Sequence, residues 1–462
     1  MDIKTYDEYY IKPISLDRTN APLPQIFKDQ SVLKILPEEN ISANRKTYTF
    51  INKNLDIITV PHDAYLYFRT TNKTAGNTQT EAADISTISI PSTAGLIDGF
   101  DYMINDNTIC TQNNSLASTL YAVNNGLYAA SNKSLEHFGL SDPSKAPFNL
   151  QSQKVGTDSC EWVVPLKLFI PFLKDNKILW GVKQSLKITL SSFENILYKI
   201  SDPTASLTVP GDYNITIEGL ELRMPYVKLE NEKQLALWNS MYSNTIERYW
   251  LDVDQFWSSP VSNKVAQSNA TFRVATKGLH SKPRYLLLHA VDDDGTVLDK
   301  HRPMGFNTGY VDAKGTLVAF ADAKNSIRFK KLRIKLNGIY IDNGDVMEFF
   351  CGDAATNPYT VNREYHRVYD EYSKFFGQYY SKEASVKSFN EWLREQLYVF
   401  DLNNIDNEAI FQNAGNALII EIEYSTYSGT TGNSTFKLVA NVLYDKQLVI
   451  NHNENKAVIT VS

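Results

Sequence analysis

The sequence predicts an all-β fold: two tandem β-sandwiches with a few short helices in loops and at the junction. Three observations predict it. Strand-type alternation recurs along most of the 462 residues, helical spacing is rare, and the order of strand motifs repeats in the second half. A chain of this kind closes by packing sheet on sheet.

The elements follow in order. Residues 1–28 carry Pro13, Pro22 and Pro24 and no strand pattern, so they are expected to form an N-terminal arm. The first sandwich, 29–228, has strand patterns at Tyr48–Ile51, Leu55–Val60, Ala64–Arg69, Glu161–Leu173, Gln184–Leu190 and Asn214–Met224. One amphipathic helix fits Leu116, Leu120, Val123 and Leu127. A connecting helix is expected at 229–243, with Leu235, Trp238 and Tyr242 on one face. The second sandwich, 244–462, restarts with strands at Ile246–Trp257, Ala270–Ala275 and Arg284–Val291. A strand pair at Ile327–Ile341 then turns at Asn337–Gly338. Val386, Phe389, Leu393 and Leu397 mark a helix, followed by strands at Ala417–Ser425 and Thr435–Tyr444. The repeat is visible in "AYLYF" at Ala64 and "RYLLL" at Arg284, which lie 284 − 64 = 220 positions apart. "SLKITL" then "NITIEGLEL" match "ALIIEIEY" then "TFKLVANVL" in the same order.

Composition narrows the function classes. The chain is 43% hydrophobic and 21% charged, enough to bury a sizeable core, and 12% aromatic with 27 Tyr and 22 Phe. A net charge of −6 argues against a general polyanion binder. Three cysteines without a CxxC pair exclude a disulfide scaffold and a zinc ribbon, and fit a reducing compartment. The start has no apolar leader, and no run reaches the ~18 apolar residues of a membrane span. The expectation is a soluble chain, intracellular during synthesis, whose Asn214 and Asn269 sequons occur by chance.

Chemistry is sparse. The seven histidines form no HExxH, HxH or HxxxH pair, and no GxSxG, GxxxxGK[ST] or GxGxxG motif occurs. "SKPRYLLLHAVDDDG" places His289 beside Asp292, Asp293 and Asp294. An EF-hand loop with Gly295 sixth would need Ala290 first and His301 twelfth, and fails at both ends. The aspartates therefore read as a turn that ends a strand, with His289 structural. Asp252 with Asp254, and Glu421 with Glu423, each share a strand face, as glycosidase carboxylates could and as a solvated face does automatically. "RFKKLRIK", Arg328–Lys335, holds five cations in eight residues, but its apolar residues interleave as in a strand. It reads as a polar sheet edge or subunit contact rather than a nucleic-acid site. No catalytic, cofactor-binding or metal-binding residue is expected, and no cofactor.

Several segments carry a resemblance. "SKPRYLLLHAV" resembles a strand of the double jelly-roll major capsid proteins of polinton-like viruses, adintoviruses and virophage-like elements. "NREYHRVYDEYSKFFGQYY" resembles their aromatic helix. "SFNEWLREQLYVFDLNN", "NALIIEIEYS" and "FKLVANVLYDKQLVI" resemble their closing helix and strands. In the first half, "EWVVPLKLFIPFLKDNKILWGVKQSLKITL" and "GLELRMPYVKLENE" are similar to the corresponding segments. The sequence departs from the family pattern where "HAVDDDG" replaces a glutamine-bearing segment and where "MPYV" lacks the following proline. The resemblance implies two tandem jelly rolls and a non-enzymatic subunit of an icosahedral DNA virus or virus-like element. It also implies a homotrimer forming a pseudo-hexagonal capsomer, with neighbouring capsomers and minor capsid or penton proteins as partners. No sequence-specific nucleic acid is implied, and the location would be the virion shell after synthesis in the host cytoplasm or nucleus. The alternative is a β-sandwich glycosidase or tandem lectin using Asp252 and Asp254 beside Trp250 or Trp257.

Overall fold

The structure, a computed structural model, describes chiefly residues 27–42, 45–74, 97–112, 159–175, 178–190, 213–229, 245–258, 268–275, 283–292, 327–336, 338–341, 346–349, 363–379, 386–389, 397–402, 417–426, 435–453 and 456–461. Short isolated stretches between them are also described.

The first half contains β1 (Phe27–Ile35), β2 (Thr47–Asn52), β3 (Ile58–Thr59), β4 (Tyr65–Thr74), β5 (Ile97–Ile104), β6 (Asn107–Gln112), β7 (Ser159–Pro165), β8 (Gln184–Leu190) and β9 (Tyr213–Leu229). A one-turn helix α1 (Phe172–Asp175) follows β7. The second half contains β10 (Ile246–Trp257), β11 (Ser268–Ala275), β12 (Pro283–Asp292), β13 (Ile327–Leu336), β14 (Ile339–Tyr340), β15 (Tyr398–Asp401), β16 (Ala417–Thr426), β17 (Thr435–Asn453) and β18 (Lys456–Val461). Helix α2 (Arg363–Tyr379) precedes β15.

Among the described residues each half has two main antiparallel sheets and one two-stranded ladder. The first half has the orders β1-β9-β4-β7 and β2-β8-β5-β6. The second has β10-β17-β12-β15 and β11-β16-β13-β14. The eight strands on these paths in each half follow the same chain-order pattern, 1-8-3-6 facing 2-7-4-5. Eight strands in two such sheets make a jelly roll, so the chain is a double jelly roll. The duplication read from strand order is thus present in the hydrogen-bond ladders.

Alternation explains the layers. In β2 the residues Tyr48, Phe50 and Asn52 are buried while Thr47, Thr49 and Ile51 are half-buried. In β8, Leu186, Ile188 and Leu190 point inward, and across the core Leu66, Phe68, Leu220 and Leu222 meet them. The second core is built likewise from Leu286, Leu288, Ile334, Ile420, Ile422 and Val442. Helix α2 adds Tyr365, Val368, Tyr372, Phe375 and Phe376, a stripe at helical spacing. Phe375 meets Tyr285 of β12 edge-on at 4.9 Å.

Several expectations shift. Phe27 and Lys28, assigned to the arm, already belong to β1, and Leu229 ends β9 rather than starting a helix. Of the connecting helix only Leu235 is described, as helical and exposed; of the helix at 116–127 only Val123, helical and buried. Glu161–Leu173 is not one strand. It stops at Pro165, passes through a 3-10 turn at Leu166–Leu168, and becomes α1 after Pro171. Proline lacks the N–H that a ladder needs, and two of them in seven positions break the run. Leu55–Val60 yields only the short β3. Near 386–397, Phe389 and Trp392 are helical, but Leu397 already leads into β15. Strand β4 runs on past Arg69 to Thr74, beyond the alternation at Ala64–Arg69. No helix among the described residues is long and apolar enough to cross a membrane.

Two tight hairpins occupy equivalent places. Asn105 and Asp106, both with positive φ, join β5 to β6. Gly338, at φ +86°, joins β13 to β14. A side chain at Gly338 would meet open space, so only backbone strain opposes it. Gly338→Ala is expected to lower unfolding stability by about 1 kcal/mol, read from the chemical-denaturation midpoint at unchanged m-value.

Candidate functional site

The most elaborate polar arrangement among the described residues lies where the two rolls meet. Strand β17 is long, and its second half runs past the second core. There it is flanked by the start of β10 on one side and by β18 on the other. This three-stranded end lies against the first roll. Trp250, Leu448 and Ile450 are buried in the first roll's core cluster, with Ile246 and Val461 packed at its margin. Trp250 meets Phe172 of α1 edge to face at 5.0 Å. An aromatic pair of this kind adds about 0.5–1.5 kcal/mol beyond its buried area.

Charges are set into this apolar contact. Lys446 Nζ lies 2.5 Å from Asp252 Oδ2 and donates to the carbonyl oxygen of Ile109, on β6 of the first roll, at 3.3 Å. Asp252 is 7% exposed at its side chain. The Tyr444 hydroxyl lies 3.3 Å from Asp254 Oδ1 and 3.4 Å from Asp252 Oδ2, and its one proton can serve either. The free thiol of Cys110 is buried against Asp252.

Each group's titration follows from this packing. Burial disfavours the Lys446 ammonium, but the Asp252 charge and hydrogen bond outweigh it and hold the pKa above the usual lysine value. Burial, then the charge of Asp252, raises the Asp254 carboxyl. Burial and the two carboxylates push the Tyr444 phenol far up, and burial with Asp252 does the same to the Cys110 thiol. The cluster holds one lysine against two carboxylates. It is built to stay closed.

This placement answers the glycosidase alternative. Asp252 and Asp254 do share a neighbourhood, as their spacing predicts, but it is a seam inside the chain. Trp250, the supposed sugar platform, is packed into the first core, while Trp257 lies at the exposed far end of β10. Lys446, Tyr444 and Cys110 were not singled out by sequence, because nothing local links positions separated by up to 337 residues.

The remaining candidates also resolve. His289 is fully buried in β12, and burial pushes its pKa down to about 3, so the ring is neutral near pH 7. Asp292 ends that strand, as read; Asp293, Asp294 and Gly295 lie outside the described residues. The basic run Arg328–Lys335 is β13, and its ladder partner is β16, which carries the acidic pair. Lys331 stands opposite Glu423 and Arg333 opposite Glu421. Lys335 Nζ donates to Glu421 Oε1 at 2.9 Å, and Lys331 pairs with Glu348 at 3.6 Å. Two motifs weighed separately thus neutralise each other across one sheet face. Among the described residues no group of His, Cys, Asp and Glu could hold a metal ion.

No protein-family model matches the chain, and no curated protein matches it in sequence. Solved structures match in fold. A chain of the Sputnik virophage, solved by cryo-EM, is similar at 12% identity and TM-score 0.57, covering 97% of this chain and 91% of that one. The mavirus major capsid protein is similar at 11% identity and TM-score 0.52, covering 96% and 91%. A chain of the PBCV-1 virus capsid is similar at 12% identity and TM-score 0.51, covering 96% and 100%. These likenesses are likenesses of fold, and they agree with the double jelly roll derived from the ladders.

Lys446→Met leaves Asp252 buried without its cation and is expected to destabilise the chain by about 3–5 kcal/mol. Adding Asp252→Leu should recover most of that loss in thermal or denaturant unfolding. For Asp254 the folded pKa is raised, so its stabilising contribution is complete below the unfolded value of about 3.9 and is lost as pH rises through the folded value. Asp254→Asn is therefore expected to unfold at higher denaturant than the parent at pH 7, an advantage that disappears below about pH 4.

Proposed function

We propose that this chain is the major capsid subunit of an icosahedral DNA virus or virus-like element, acting by assembly rather than catalysis. The observation that carries the reading is the pair of jelly rolls with one strand order, held as a unit by the Trp250–Lys446 seam. Three such chains set six similar sandwiches around one axis, and a six-cornered capsomer tiles a hexagonal lattice with three copies of one gene product. The fold likeness to chains of the Sputnik virophage, mavirus and PBCV-1 supports it.

In this reading the units are an arm before β1, a first roll from β1 to the end of β9 at Leu229, a connecting helix within 230–243 and a second roll at 244–462. Minor capsid or penton proteins are the further partners of this reading. On the described face of β13 and β16, Lys331, Arg333 and Lys335 stand beside Glu421 and Glu423 rather than being massed. Such a surface suits contact with other protein copies more than reading of nucleic acid. The chain would reside in the virion shell.

The test is the mass of the purified chain in solution, by light scattering on a sizing column. The monomer is 52.4 kDa, so a trimer should appear at 3 × 52.4 = 157.2 kDa, with larger shells at high concentration. A stable monomer at every concentration would remove the proposal.

A further inference from the structure

The geometry points to a covalent cross-link at the seam: an amide between the side-chain nitrogen of Lys446 and the side-chain carboxyl carbon of Asp252, formed by the folded chain itself. The cross-link belongs to the single chain and does not rest on the capsomer reading.

Register sets the pair in place. In the β10–β17 ladder Lys446 stands opposite Trp250 and Tyr444 opposite Asp252, so Asp252 and Lys446 are diagonal neighbours on one face. Lys446 Nζ lies 2.5 Å from Asp252 Oδ2. Hydrogen bonding there also brings the nitrogen near Cγ, at about the 3–3.5 Å of a near-attack arrangement. The Ile109 carbonyl, on the other roll, holds the same nitrogen at 3.3 Å. Asp252 is buried, and Trp250 on the same strand face packs on Phe172.

A reactive pair differs from an ordinary ion pair in having a group beside it that moves protons. Asp254 is placed to be that group. The Tyr444 hydroxyl bridges it to the reacting carboxylate, 3.3 Å from Asp254 Oδ1 and 3.4 Å from Asp252 Oδ2. Burial and the Asp252 charge raise the Asp254 carboxyl, which favours its protonated form. Burial opposes the Lys446 ammonium and the Asp252 charge supports it, so that support ends once a proton passes to Oδ2.

The step balances without a co-reactant. The ammonium gives one proton to Asp252 Oδ2, leaving a neutral amine beside a neutral acid. The nitrogen lone pair attacks Cγ, and the Nζ–Cγ bond forms. Asp254 passes its proton through the Tyr444 hydroxyl to Oδ2, the Cγ–Oδ2 bond breaks, and one water leaves. The proton shed by the nitrogen restores Asp254. In bulk water the separated ions are favoured over the amide, but here the product removes two charges from a place where charge is costly. Its remaining N–H can still serve the Ile109 carbonyl. The bond joins positions 446 − 252 = 194 apart, so it closes a long loop and restricts the unfolded chain. The ion pair is the reactant, and the unfolding comparisons of the Lys446 and Asp254 variants take the freshly folded, unreacted parent as reference.

The experiment is intact-mass spectrometry of the full chain, denatured after days of incubation in neutral buffer, with tandem spectra of its proteolytic fragments. The parent is expected to be one water lighter than its sequence and to yield a branched peptide joining Asp252 to Lys446. Lys446→Arg keeps the charge but loses the nucleophilic amine, and should hold its sequence mass. Asp254→Asn should form the bond about a hundredfold more slowly, and Asp254→Glu should restore the rate. A folded parent at its sequence mass, or a lost water that persists in Lys446→Arg, would overturn the cross-link. Equal rates in the parent and Asp254→Asn would overturn the relay through Asp254. If Lys446→Arg fails to fold, the presence or absence of the branched peptide in the parent decides.

Discussion

The rest of the structure depends on one lysine held across a seam. Lys446 carries its charge into an apolar contact, where an unpaired ammonium would cost several kcal/mol. It is accommodated because Asp252 lies 2.5 Å away and the Ile109 carbonyl accepts a second bond at 3.3 Å. Asp252 belongs to the same roll as the lysine, but Ile109 belongs to the other. Satisfying the charge therefore requires the two rolls to sit in one relation. Trp250 and Leu448 supply apolar burial on either side, and burial alone is non-directional. The ion pair and the carbonyl add direction.

That division of labour sets the relation between the rolls. Two sandwiches joined only by a linker would reorient freely, whereas a directional contact holds them in one arrangement. Here strand β17 passes through the second sheet and ends against the first core, so one continuous element spans both rolls. Cys110, Tyr444 and Asp254 complete the seam. Asp252 and Asp254, the carboxylate pair on β10, are spent on this contact.

Much of this architecture was legible before any coordinates. The strands at Gln184–Leu190 and Ile246–Trp257 are found where alternation places them, because one face is buried and the period of two is enforced. The repeat was visible because the same faces are buried in both rolls. Other elements hid for physical reasons. Pro165 and Pro171 turn an apolar run into a strand, a turn and a helix, and hydrophobicity alone does not separate these. The β5–β6 hairpin turns at Asn105–Asp106, which lacks the glycine that marks such turns most strongly. The seam was legible only in part. "LDVDQF" announced two carboxylates on one strand, but their partners arrive from β17 and β6, and a charge's partner is a tertiary fact.

Sameness of topology also does not mean sameness of surface. In the first roll the sheet of β1, β9, β4 and β7 turns outward a lattice of charge and aromatic rings. Glu221 is bound by both Lys34 and Arg223, and the guanidinium of Arg223 lies 5.9 Å from the ring of Tyr67. In the second roll the matching strand β12 buries Leu286, Leu287, Leu288 and His289 alike, so both its faces are covered there, with α2 packed over β15 and Tyr285. A strand buried on both faces gives up alternation, which is why "LLLH" reads as a continuous apolar run. The two sandwiches share one backbone plan yet differ in surface chemistry. Duplication supplies the common plan, and divergence gives each roll an outer face of its own.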